Sequence, residues 1–324
     1  MGGALQGPLR TVRTYPQEVN RLNISWKSLV WSAAAALLLS SLATPLNFLT
    51  VFLIMPAFIV LFSMFDVKRF ALHLIPIGVV AYFLSGSWGP AIVTLAFFFL
   101  VPSIAMGHLY KKGSSAKSAV TAGFVIILAQ VLLELLLFSA LYNIDLKAEL
   151  TAQLANNLKQ FETTSDLFPA GWAVDTARAF GDAVMMLLPT LIMLFAFLLT
   201  VTAHGFSRLA LRKIGIDAPA LPQAKTWRVS RSLVLIFIIA LIASYAMSED
   251  RGGYWWIAVI NLVPILEIAF LVQAIGFVFF LADAKKWPRA VSLLLCIPLL
   301  LFYPRTFLIG LLDAAFPLRK YFVK

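Results

Sequence analysis

The chain has 324 residues, of which 61% are hydrophobic and only 13% charged, with a mean hydropathy of +0.91. A soluble domain carries about a quarter charged residues; here the apolar excess falls in blocks long enough to cross roughly 30 Å of hydrocarbon. The net charge of +11 does not mark a nucleic-acid binder, because the cations lie in short loops between apolar blocks and form no basic domain.

In chain order, residues 1–27 form a polar, basic leader. The hydropathy then predicts spans at 28–46, 49–65, 70–85, 89–109, 117–141, 179–204, 232–248 and 254–282, with a ninth apolar region at 290–316. The first block, ending in SAAAALLLSSLA, is read as an uncleaved helix, since it follows a long leader and precedes many more spans. Within it, Ser32, Ala36 and Ser40 recur at i, i+4 and i+8, a small face that lets helices, or a partner subunit, approach closely. GSWGP at 86–90 reads as a tight external turn.

The external segment 142–178 holds an amphipathic helix marked by Leu150, Leu154, Leu158 and Phe161. The basic loop 205–231 contains APALPQAKTW, whose prolines predict an extended, ordered linker. If the N-terminus is cytoplasmic, the inside segments up to residue 289 carry 18 Lys and Arg and the outside segments 4, which fixes the expected orientation. The fold class is therefore all-α, a polytopic transmembrane bundle of about 8–9 spans. Its expected divisions are the leader 1–27, a six-span bundle at 28–204, the linker 205–231 and the late spans 232–324.

Region 290–316 is too long for one upright crossing and is broken by Pro298 and Pro304. The favoured reading is a crossing at 290–304 followed by an interfacial segment, with Arg305 snorkelling at the far interface. That leaves Arg319, Lys320 and Lys324 outside; a re-entrant hairpin would return them to the inside.

Three carboxylates are expected within spans, where each needs an explanation. Asp182 is expected to pair with Arg178 one turn earlier. Glu134 shares a face with Gln130, as a bundle contact or a cavity lining. Glu267 lies deepest, in VPILEIAFLVQ. Asn261, Glu267 and Gln273 are six residues apart, so they point in three directions about 120° apart. A lipid-facing helix would not tolerate that, so this helix is expected to be surrounded by others, with Pro264 allowing a bend. These five polar residues are the candidate site.

No catalytic, metal or cofactor constellation is expected. His73, His108 and His204 have no HExxH-type spacing, Cys296 stands alone, and neither GxSxG nor a phosphate loop occurs.

LPQAKTWRVSRSLVL (221–235), NLVPILEIAFLVQAIGFVFFLADAKKWP (261–288) and LIGLLDAAFPLRK (308–320) resemble the YybS-like family of predicted bacterial membrane proteins. The resemblance implies a multi-pass protein of the bacterial cytoplasmic membrane. It also implies that the early spans are similar to the substrate-binding components of energy-coupling-factor transporters, which present a small face of helix one to a partner. Ser32, Ala36 and Ser40 match that loosely.

The expected function is binding or transport-related handling of a small solute, without catalysis and with a partner supplying energy. The alternative is a scaffold or regulator that acts through partner proteins at the 205–231 loop and the external helix.

Overall fold

The computed structural model describes residues 26–142, 145–164, 167–247, 253–316 and 318–322; these form thirteen α-helices and no strand. Seven helices are long and apolar enough to cross a membrane. The protein is an all-α polytopic bundle.

Six of the seven form the first bundle: α1 (Trp26–Ser40), α2 (Asn47–Met64), α3 (Val67–Leu84), α4 (Gly89–Lys111), α5 (Ala116–Tyr142) and α8 (Leu188–Lys213). At its centre is α2, where every residue from Ile54 to Phe62 is buried. A helix apolar on all sides can bury all sides, and α2 packs on α1, α4 and α8. The outer helices turn Leu72, Ile75 and Phe83 of α3, and Leu132, Leu133 and Leu136 of α5, away from the protein. The GSWGP stretch is a tight turn, with Gly86 at φ +56° and Trp88 exposed.

The region read as a span from 179 begins later. Helix α7 (Trp172–Met186) stops at Leu187, and α8 starts afresh with Pro189 in its first turn, where a missing N–H costs nothing. Helix α7 instead packs on α6 (Leu146–Thr164) as a pair outside the bundle. Leu150, Leu154 and Leu158 of α6 are half-buried, while Phe161 is exposed. The Glu162 carboxylate closes the pair by accepting from the Gly171 and Ala173 amides, both at 2.8 Å, so it caps α7. Asp182 does not pair with Arg178. It meets Lys147 of α6 at 2.5 Å, and Arg178 turns to Asp175. Spacing along one helix could not anticipate a partner supplied by the packed neighbour.

The second cluster is built around α10 (Tyr254–Ala284). At 31 residues this helix is about 46 Å long. Its neighbours are α9 (Arg231–Ala246), α11 (Arg289–Leu301), α12 (Phe307–Ala315), the short α13 (Arg319–Phe322) and α8. Phe270, fully buried, meets Phe237 of α9, which in turn meets Phe307 of α12 edge to face.

Residues 290–316 do not form one long helix followed by a separate tail; they fold as two short helices packed on α10. Helix α11 has 13 residues, about 20 Å, too short for the hydrocarbon thickness. The chain turns at 302–306, where the Tyr303 hydroxyl donates to Glu267 Oε2 at 3.3 Å, and α12 runs back along α10. It reaches Gln273 through Asp313, and Arg319 then bonds the carbonyls of Lys225 and Trp227. The region is a helical hairpin that brings Arg319 back to the basic linker, the arrangement that the re-entrant alternative requires. Hydropathy is blind to this, since both arms are apolar; the deciding contacts are polar and long-range.

Candidate functional site

Helix α10 uses its polar residues as ties to three different neighbours. Asn261 is buried where α7 gives way to α8. Its Oδ1 accepts from the Thr190 amide at 3.0 Å and the Thr190 hydroxyl at 2.8 Å, and its Nδ2 donates to the Met186 carbonyl at 2.8 Å. The amide of Thr190 lies in the first turn of α8 and has no partner within its own helix, so Asn261 holds a helix start in place. Asn261→Leu is expected to lower stability by about 1–2 kcal/mol, measured as a lower unfolding temperature in detergent.

On another side, Gln273 accepts from the Val229 amide at 2.8 Å and donates to Asp313 Oδ2 at 2.5 Å. Asp313 is closed by Arg319 at 2.8 Å, with side-chain exposures of 1% and 6%. Sequence reasoning misses this buried pair, because Asp313 stands in an apolar stretch that reads as span or interface. Glu267 lies on the third side, partly buried, with Tyr303 as its partner.

Glu134 and Gln130 are not brought to Glu267. Glu134 is exposed on α5 among exposed leucines, and Gln130 is half-buried with its Oε1 unpartnered. Glu134, Gln130 and Glu267 line none of three clefts formed by the described residues.

A cleft of about 520 Å³ lies between α1 and α3. Its floor is the small face of α1: Ser32, Ala33 and Ala36 leave the room that larger side chains would fill. Pro76, Ile77 and Val80 of α3 form the facing wall, and Arg69 and His73 stand at one end. Ser32 is nine-tenths buried, and its hydroxyl has no hydrogen-bond partner. Ser40 does not line the cleft; its hydroxyl bonds the Ala36 carbonyl at 2.9 Å. His73 is fixed by an Nδ1 contact to the Arg69 carbonyl at 2.8 Å and by stacking on Phe65 at 4.5 Å. The Arg69 guanidinium is held only at 3.7 Å by Asp66 and is partly exposed. A second cleft of about 290 Å³ separates α8 from α10 and is almost wholly apolar, lined by Met193, Phe197, Ile265 and Val272.

The other histidines are apart. His204 meets the Tyr110 hydroxyl at 2.6 Å inside the first bundle, and His108 is exposed. Among the described residues no three His, Cys, Asp or Glu gather as a metal site.

The family described as "Predicted membrane protein (DUF2232)" matches residues 32–314. The chain belongs to that family. It is 23% identical over 247 residues to "Uncharacterized protein YybS" of Bacillus subtilis (strain 168), covering 74% of this chain and 78% of that protein. No solved structure matches. The matched residues run from within α1 to within α12, so they include most of both clusters and all of the α1–α3 cleft lining except Leu29.

Proposed function

We propose that this protein is a multi-pass protein of the bacterial cytoplasmic membrane that binds a small amphiphilic molecule in the α1–α3 cleft without catalysing a reaction on it. The unpartnered Ser32 hydroxyl in a mainly apolar cleft carries the reading. A polar atom shut away from water without a partner is costly, and a hydroxyl or carbonyl of a bound molecule would satisfy it. Small-molecule sites are mostly apolar, about 300–1,000 Å³ in volume, with a few polar groups that set orientation. Here the aliphatic walls suit a hydrocarbon body, and Arg69 at the end suits an acidic head. Moving such a molecule across the membrane would need a partner protein for energy. A scaffold working through the basic 205–231 loop is the weaker reading, because that loop is tied down by Lys225–Asp283 and by Arg319.

The test is mass spectrometry of small molecules that co-purify in mild detergent. A bound amphiphile is expected with the wild-type protein and absent from Ala33→Trp. Ala33 lines the cleft but is exposed, so a tryptophan there fills the space without entering the core. The same molecule retained in equal amount by a monodisperse Ala33→Trp protein would refute the proposal.

A further inference from the structure

A third cleft, about 250 Å³, opens where the linker meets α9, α10 and the end of the chain. Its rim carries Arg228, Arg231 and Lys320. All three are exposed, and among the described residues none makes an ion pair or a side-chain hydrogen bond. Its floor is the Gln273–Asp313–Arg319 network, in which the one carboxylate is already held by Arg319 and Gln273. Among the described residues, the cleft therefore presents three cations with no free anion to answer them. Helix α9 also starts here: Ser230 precedes Arg231 and makes no side-chain cap, so first-turn amides of a 16-residue helix add to the positive field.

We propose that this cleft binds the phosphate headgroup of an anionic phospholipid. Phosphate chemistry follows from the three cations and the helix start. The lipid source follows from what lies beside them. Arg231 heads a face of α9 that continues through Leu235, Ile239 and Ile242, which are 63%, 66% and 64% exposed. Those positions repeat at helical spacing, so acyl chains could lie along them with the headgroup at Arg231. Phe316 and Tyr321 are also exposed at this level, as aromatic side chains are at a membrane boundary. Basic pockets between membrane helices hold anionic headgroups for the same reasons.

The full-length protein, exchanged into micelles with equal amounts of phosphatidylglycerol and phosphatidylcholine, should retain phosphatidylglycerol preferentially by native mass spectrometry. Arg228→Gln with Lys320→Gln should reduce that preference about tenfold. Lys285→Gln with Lys286→Gln, which removes as much charge from the same face outside the cleft, should leave it nearly unchanged. All four side chains are exposed, so both variants should keep the wild-type unfolding temperature. No preference in the wild type, or equal loss in both variants, would overturn the proposal. Inorganic phosphate bound by the wild type and lost in Arg228→Gln with Lys320→Gln, with no phosphatidylglycerol preference, would overturn the lipid and leave a free-phosphate site.

Discussion

Arg319→Ala is expected to lower folded stability by about 3–5 kcal/mol, enough to remove most monodisperse protein from a detergent extract. Arg319 does three jobs at once. It neutralises Asp313, whose side chain is 1% exposed, and it donates to the backbone carbonyls of Lys225 and Trp227 at 2.7 and 2.8 Å. Truncation leaves Asp313 buried with only the Gln273 amide, and it leaves the linker carbonyls without their donor. Burying a lone charge costs far more than the pair gains, so removing both charges should be less damaging than removing one. Asp313→Leu with Arg319→Met should therefore unfold at a higher temperature than Arg319→Ala, though below the wild type because the carbonyl contacts stay lost. A thermal unfolding series by size-exclusion fluorescence checks this. If Arg319→Ala matched the wild type, the network could not be what fastens the linker to α10.

The early spans were legible because their signal is local. Each is an unbroken apolar run bounded by turn residues or cations, and α2 to α5 begin and end within a few residues of the hydropathy blocks. The spacing of Asn261, Glu267 and Gln273 was equally readable. Three polar residues 120° apart on one helix demand neighbours on all sides, and the structure gives each a partner from a different element. The identity of those partners was not readable, since Thr190, Val229 and Tyr303 lie 71, 44 and 36 residues away. Asp313 and Arg319 are only six residues apart, in a stretch that carries the family resemblance, but no helical spacing joins them, because the helix ends at Phe316 between them.

The candidate site was less legible than the fold. Polar residues inside spans drew attention to Glu134 and Glu267, but a polar side chain marks a place that needs an answer, and helix packing usually supplies it. Space is the complementary signal, and it comes from small residues. The spacing of Ser32 and Ala36 predicts a close-packing face; in the structure the same smallness leaves a cleft, because α3 does not close over it. Whether a small face draws a neighbour in or leaves a gap depends on the facing helix, here Pro76, Ile77 and Val80, which no periodicity within α1 could reveal.

Gly310→Val is expected to lift α12 off α10 and cost at least about 1–3 kcal/mol, read as loss of the folded peak and of the wild-type unfolding transition. A Cβ at position 310 would overlap the Phe270 carbonyl oxygen and come within 2.7 Å of the Ala274 amide nitrogen, both backbone atoms that no rotamer change can move. Glycine thus permits the close approach that puts Asp313 beside Gln273 three residues later. The hairpin and this contact stand or fall together, and thiol labelling separates them from the alternative. In a Cys296→Ser background, Lys225→Cys and Lys320→Cys should react from one side of sealed membranes and Tyr254→Cys from the other. Labelling of Lys320→Cys from the side of Tyr254→Cys would mean that α11 and α12 together cross the membrane. Then α12 could not run back beside Phe270, and Gly310→Val would have no carbonyl to strike.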